Sequence, residues 1–244
     1  MPGNTKGITL RSIKYGDSSI ISTIFTADYG VQTYIVQGVR SAKTGKNRSA
    51  FFQPGMLLDL VVYQQQQKNM QRIREYQAAY IYTTLNEDVV KNSVLLFSTE
   101  LLLRLLPEHA PMKSLFGSAY DYFILLDQVK AADVANFPLY FMIQCSRELG
   151  YEPSGAYSEQ TPHLNLQQGG FTSDPPPAAP FMSEEDACAL NILLIASDAA
   201  SISQTIMSSA TRMRLTDWYI AFLQQHTQHM GNIKSLPVLR AILH

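Results

Sequence analysis

The sequence predicts an α+β chain in which a small five-stranded barrel precedes an all-helical domain, and three observations predict it. Apolar and β-branched residues recur with a period of two through the first eighty residues. Beyond Asn86 the period lengthens to about 3.6 and stays helical for most of the chain. Charge divides at the same place: through Tyr80 there are ten lysines and arginines against four acids, a net +6, and afterwards nine against sixteen, a net −7, within an overall charge of −1. A basic module attracts polyanions over roughly 8 Å at physiological salt, and an acidic one repels them, so the two parts are suited to different partners.

The strands follow in order. Ile8, Leu10 and Ile13 form the first, and Ile20, Ile21, Ile24 and Phe25 the second, after the turn signal Tyr15-Gly16-Asp17-Ser18. Asp28-Tyr29-Gly30 is a tight turn into Val31 to Gln37, which makes a hairpin. Met56 to Tyr63 and Met70 to Tyr82 are the last two strands. Five short strands with small turns and one long connection fit a closed barrel, because closure removes exposed edges, and the oligonucleotide-binding (OB) form is the favoured one. The barrel domain is expected over residues 1–82 and the helical domain over 83–244.

In the second part, Asp88 to Leu106 is apolar on nearly every side and stops at Pro107, as a central bundle helix does. Glu100 and Arg104 stand i, i+4 on it with the acid first. Lys113 to Ala132 and Asn136 to Leu149 come next, the latter with Asn136 as cap, Pro138 early and Gly150 as stop. The helical period disappears from about 151 to 182, where Pro175-Pro176-Pro177-Ala178-Ala179-Pro180 cannot continue a helix, and an irregular proline-rich insertion is expected. Ser183 caps a helix whose first turn carries Glu184, Glu185 and Asp186. Helices over Ser203 to Gln228 and Ser235 to Leu243 bring the domain to about six.

A chain that is 46% hydrophobic and 16% charged can bury a substantial core. The opening MPGNTKGITLRS lacks the apolar core of a signal peptide, and Lys91, Glu100 and Arg104 interrupt the most apolar stretch, so neither export nor membrane spanning is expected. Cys145 and Cys188 alone make no disulfide framework and no four-cysteine zinc site. Of five histidines only His226 and His229 are spaced to share a metal, and they lack a cysteine or carboxylate at ligand spacing. There is no nucleophile elbow, phosphate-binding glycine loop, zinc-protease helix or dinucleotide fingerprint, so no catalytic residue, no metal and no cofactor is expected, and an unrecognised hydrolase has no nucleophile and base to rest on.

The candidate binding residues lie in the basic part. Gly38 to Gln53 places Arg40, Lys43, Lys46 and Arg48 among Gly, Ser, Thr and Asn, with Phe51 and Phe52 at its end, either touching a ligand or pinning the loop. Arg11, Lys14, Arg72 and Arg74 alternate with apolar positions and are expected on the outer sheet face, beside the loop, as a groove for DNA, and Lys6 is a further candidate for DNA contact. Tyr15, Tyr29 and Tyr34 are candidates for base stacking or half-buried structural rings. The competing reading is a non-catalytic scaffold whose basic barrel face binds an acidic protein partner or RNA.

These residues also carry a resemblance. The run KGITLRSIKYGDSSIISTIFTADYGVQTYIVQGVR resembles the opening of RecO proteins, with a glycine-initiated strand, a "YGD/E" turn, an "FT…YG" hairpin and a "GVR" entry to a basic loop. Gln53-Pro54 before MLLDLVVY resembles the family's fourth strand, and IKSLPVLRAIL its closing helix. The resemblance implies a non-enzymatic bacterial cytoplasmic, nucleoid-associated DNA repair and recombination mediator. Such a protein binds single- and double-stranded DNA, anneals complementary strands, and acts with RecR and the single-strand-binding protein to load RecA. The acidic tail of the single-strand-binding protein would dock on the helical domain beside a base, for which Arg104, Arg147, Arg212 and Arg214 are candidates. Many RecO proteins carry a four-cysteine zinc module where this chain has Gly150 to Pro177, which keeps LNLQQGGF but holds no cysteine, so no zinc is expected.

Overall fold

A computed structural model describes residues 2–40, 48–65, 68–176, 182–227 and 230–243. The chain forms two compact units, one of Met1–Glu87 with Thr99–Asp127 and one of Asp88–Ser98 with Gln128–His244.

The first unit is built on five strands, β1 (Pro2–Tyr15), β2 (Ser19–Thr26), β3 (Gly30–Val36), β4 (Leu57–Tyr63) and β5 (Met70–Ala78), closed in the order β1-β2-β3-β5-β4. The OB-like barrel predicted from the period-two pattern is therefore present. Its closure depends on β1, which pairs with β4 through Pro2–Ile8 and with β2 through Gly7–Tyr15. The register skips Leu10 in β1 and Arg74 in β5, and such one-residue bulges bend a strand enough to turn a sheet corner. Only Thr33–Ile35 of β3 pairs with β5, in parallel. Ile20, Ile24, Tyr34, Val36, Val39, Phe52, Leu58, Leu60 and Val62 fill the interior, each large aliphatic contributing about 1.5–3 kcal/mol. Phe52 ends a 3-10 turn, Arg48–Phe52, and packs edge-on to Tyr76 at 4.8 Å, so this aromatic pins the connection to the barrel.

The same unit contains helix α2 (Lys113–Gln128), whose Phe116 meets Phe25 edge-on at 5.3 Å. Asp127 near its end is buried and accepts hydrogen bonds from the backbone N–H groups of Thr83, Thr84 and Leu85. Helix α1 (Val89–Leu105) contributes residues to both units.

The second unit holds α3 (Phe137–Glu148), α4 (Glu184–Ile195), α5 (Ala199–Gln204), α6 (Ser209–His226) and α7 (Leu236–Leu243), which brings the α-helices among the described residues to seven. Ser183 caps α4 as its sequence predicts, with Asp186 closing the capping box. Three expectations are corrected. Asn136 stands at the N-cap of α3 as expected, but its side chain makes no capping bond; its amide instead donates to the carbonyls of Ile202 and Thr205. Those bonds take up the carbonyls at the end of α5, and Ser208 starts α6 afresh, so the single helix predicted from Ser203 is two. Within 151–182, β6 (His163–Asn165) and β7 (Gly170–Thr172) form a short hairpin. The Asn165 side chain accepts from the N–H groups of Gln167 and Gln168, and the Ser154 carbonyl accepts from the N–H of Phe171. Side chain and backbone bonds thus hold the LNLQQGGF segment together. No described helix is long and apolar enough to cross a membrane.

Candidate nucleic-acid interface

A groove of about 1210 Å³ runs over the first unit. Its positive groups come from three segments distant in sequence: Lys6 from β1, Arg48 from the 3-10 turn and Arg74 from β5. The pairing of β1, β4 and β5 sets its charged side chains in rows, because Lys6 opposes Asp59, Asp59 opposes Gln77, Asn4 opposes Val61 and Val61 opposes Glu75. Arg74, skipped by the register, is aimed by its bulge. Phe51 and Tyr76 add aromatic surface, packed edge-on at 5.7 Å. Arg48 hydrogen-bonds the Tyr76 side chain, and its charge opposes the upward push that burial gives the Tyr76 phenol.

The groove is not uniformly basic. Asp28, Asp59 and Glu75 line it too. Lys6 Nζ lies 4.0 Å from Asp59 and 4.8 Å from the centroid of the Tyr120 ring, Arg74 Nε lies 3.1 Å from Glu75, and Asp28 is 3.3 Å from Lys113 Nζ. Such exposed pairs are individually weak, about 0–1 kcal/mol, and a phosphate can replace the carboxylate. The arrangement suits a salt-sensitive phosphate contact flanked by amides and aromatic edges.

Of the other residues predicted for DNA, Arg72 lines a second hollow of about 380 Å³ with Tyr63 and Met70. Arg11 and Lys14 are both exposed but fall on opposite faces of β1, because the register from Arg11 to Tyr15 is unbroken and the two are three residues apart. The placement of both on one outer face is corrected accordingly. Arg40 donates to the Gly16 carbonyl at 3.2 Å, which fastens it to the β1–β2 turn. Lys43 and Lys46 lie outside the described residues. Tyr34 is wholly buried, its phenol pushed upward by that burial, so it offers no stacking face.

The arginines predicted for a protein partner are dispersed. Arg104 in the first unit lies 3.5 Å from Glu100. In the second unit Arg147 is held by Glu152 and the Leu194 carbonyl, and Arg214 grips the fully buried Asp186 with two hydrogen bonds of 2.8 and 2.6 Å. Arg212 donates to Asn136 at 3.0 Å and borders a narrow cleft with Pro138, Leu236, Leu239 and Arg240. Sequence reasoning passed over Arg240, which stands four residues after Leu236 and three before Leu243, a spacing that places it on the apolar stripe of α7.

Comparison with known proteins agrees with this architecture. The family model "Recombination protein O N terminal" matches residues 1–82 and "Recombination protein O C terminal" matches 86–237. The chain is similar to proteins named "DNA repair protein RecO", at 28% identity to that of Phocaeicola vulgatus and 25% to those of Azobacteroides pseudotrichonymphae and Flavobacterium johnsoniae, each over 98% of both chains. Two family models in sequence order, matched across nearly the whole length, carry the conclusion that this chain belongs to the RecO family of DNA repair proteins.

Proposed function

We propose that the chain is a recombination mediator of the bacterial cytoplasm that binds single- and double-stranded DNA through its barrel, anneals complementary strands, and works without catalysing a bond change. The observation that supports this reading is the convergence of Lys6, Arg48 and Arg74 on one groove of an OB-like barrel. Phosphate contacts carry no sequence information, so binding there is general and falls with salt. The test is a fluorescence anisotropy titration of a labelled oligonucleotide against Lys6→Ala/Arg48→Ala/Arg74→Ala across a salt series. Loss of three phosphate contacts weakens binding for every sequence and flattens the slope of log Kd against log salt by roughly two to three. An unchanged slope would remove the groove from the reading.

The helical unit is assigned to partners: RecR, and the acidic tail of the single-strand-binding protein whose displacement lets RecA load. Among the four arginines predicted for that tail, Arg212 alone lines the apolar cleft, and Arg240 lines it too. A narrow apolar cleft lined by two arginines suits a chain end that carries a carboxylate and an apolar side chain.

A further inference from the structure

The hollow of about 380 Å³ opens where β4 ends and β5 begins, and is lined by Tyr63, Gln65, Lys68, Met70, Gln71 and Arg72. Its volume is at the low end of ordinary ligand pockets, with room for about one nucleotide. Tyr63 is 40% exposed and Lys68 and Arg72 are exposed beside it, so one ring and two cations border the same space. Gln71 brings them together. Its buried side chain accepts from the Gln65 N–H at 2.9 Å and donates to the carbonyls of Gln65 and Lys68 at 3.0 and 2.8 Å, which ties both ends of the β4–β5 connection to one residue. Among the described residues neither Lys68 nor Arg72 is in an ion pair, whereas Lys6 and Arg74 of the groove each face a carboxylate.

Cross-strand register gives the spacing between hollow and groove. Asp59, Val61 and Tyr63 alternate with the buried Leu60 and Val62 along β4, and they oppose Gln77, Glu75 and Arg72 of β5. The Lys6–Asp59–Gln77 row lies in the groove and the Tyr63–Arg72 row in the hollow, four residues apart on β4 or about 13 Å. That is close to the ~12 Å between two paired backbones across a major groove. The row between them, Asn4–Val61–Glu75, has a carboxylate and no cation. A phosphate that draws Arg74 away from Glu75 leaves that carboxylate uncompensated, so one backbone crossing from groove to hollow would pass a bare negative charge. Two separate backbones avoid the crossing. Each site has cations for phosphate and rings for bases: Arg48, Arg74, Phe51 and Tyr76 in the groove, Lys68, Arg72 and Tyr63 in the hollow. We infer that the hollow holds an unpaired nucleotide of a second DNA strand, so that one molecule carries both partners of an annealing reaction, with Glu75 between their backbones. The inference rests on the reading of the groove as a DNA site.

The probe is an oligothymidylate of about eight nucleotides, within the usual site size of one such barrel. Its stoichiometry is measured by calorimetry on the full chain, and annealing of complementary strands is followed by fluorescence quenching. The expected result is two oligonucleotides per parent chain. Lys68→Ala/Arg72→Ala, with folding checked by melting temperature, binds one, at an affinity within twofold of the parent's tighter site. The same variant anneals at least tenfold more slowly, and Tyr63→Ala changes the rate in the same direction. One oligonucleotide per parent chain, or loss of the tighter site in Lys68→Ala/Arg72→Ala, would mean that a single backbone runs through groove and hollow, and overturns the inference. Annealing at the parental rate by that variant overturns it as well, because the second strand is then held elsewhere or by another molecule. In each of these cases the groove stands as long as Lys6→Ala/Arg48→Ala/Arg74→Ala weakens binding. A parent chain that binds no oligonucleotide fails the reading of the groove itself and takes this inference with it.

Discussion

Asp127 and Leu85, forty-two residues apart, are joined by a 2.8 Å hydrogen bond in which the buried carboxylate accepts the backbone N–H. The same carboxylate accepts from the N–H groups of Thr83 and Thr84, the Thr83 and Thr84 hydroxyls and the Tyr80 hydroxyl. One side chain of α2 therefore satisfies three successive backbone donors just after β5, at the exit from the barrel.

Burial works against ionising Asp127, but the N–H groups of Thr83, Thr84 and Leu85 together outweigh it and hold the carboxyl well below the usual carboxylate range. A carboxyl whose folded value is depressed stabilises the fold fully above its unfolded value, and that stability is lost as pH falls through the folded value. Asp127→Asn is expected to destabilise the protein by roughly 2–3 kcal/mol near pH 7, since an amide oxygen replaces a charged acceptor and its NH₂ faces donors. The deficit against the parent narrows as the pH drops below about 4, where the unfolded parent takes up a proton while the folded carboxylate still resists it. Melting temperatures of both proteins between pH 2.5 and 7 check this; a deficit constant with pH would mean that the charge is not what holds the segment.

Asp186 and Arg214 form the corresponding tie in the second unit. Asp186 is fully buried while Arg214 is partly exposed, and although burial opposes ionisation, the guanidinium and the Ser183 cap keep the carboxyl below its ordinary value. Arg214→Ala leaves a buried carboxylate unpaired and is expected to destabilise the protein by about 3 kcal/mol. Chemical denaturation measures this directly. Any loss of partner binding by this variant should disappear at temperatures well below its melting point, because the role of Arg214 is to fasten α6 to the start of α4.

How much of this was legible in the sequence depends on the range of the interaction. The five strands, the capping box at Ser183 and the stop of α1 before Pro107 are written in neighbouring residues, and local pattern finds them. The bulges at Leu10 and Arg74 are not, since a one-residue skip leaves the composition unchanged while it reverses which side chains face out beyond it. The Asp127 clamp, the Asn136 bonds to Ile202 and Thr205, and the Lys6–Arg48–Arg74 groove join residues tens of positions apart. No periodicity encodes such pairs. The same limit explains why three arginines of the helical part read as free bases in the sequence and are engaged by Glu152, Asn136 and Asp186 in the fold.

Asp59 is expected to restrain DNA binding. It lies 4.0 Å from Lys6 Nζ and accepts from the Gln77 amide at 3.2 Å, within the groove assigned to phosphate. Asp59→Asn removes a repulsive charge and releases Lys6, so oligonucleotide affinity should rise roughly two- to fivefold at low salt, the scale of one exposed charge pair, and the gain should shrink as salt screens it. Anisotropy titrations at two ionic strengths decide; weaker binding by the variant would mean that Asp59 orders the groove.

Arg240 is paired with Asp217 across α6 and α7 at the edge of the cleft that Arg212 shares. Arg240→Ala should weaken binding of a synthetic acidic peptide with an apolar C-terminal residue by tenfold or more, and Asp217→Asn, which frees the guanidinium, should strengthen it. Both substitutions are partly exposed, so melting temperatures should stay within a few degrees of the parent. Equal affinities in all three proteins would place the acidic tail elsewhere.

Two glycines of the barrel separate backbone conformation from packing. Gly16 and Gly30 both have positive φ, 57° and 68°, so alanine at either is strained by about 1 kcal/mol. Around Gly16 a Cβ would meet nothing within 4 Å, whereas at Gly30 it would fall 2.3 Å from the Ala110 carbonyl oxygen and 2.8 Å from the Ala110 nitrogen. Those are backbone atoms, anchored by the bond from the His109 N–H to the Val31 carbonyl at 3.0 Å, and His109 itself holds a positive φ of 61° there. The β2–β3 turn and the Glu108–Ala110 segment can approach this closely only if position 30 has no side chain. Gly16→Ala should therefore lower stability by about 1 kcal/mol, and Gly30→Ala by several times that, because the added methyl must push two segments apart and break the His109 bond. Paired urea denaturation curves measure the difference. Equal losses at the two sites would show that the Glu108–Ala110 segment can yield, and that its contact with the turn contributes little to holding α2 against the barrel.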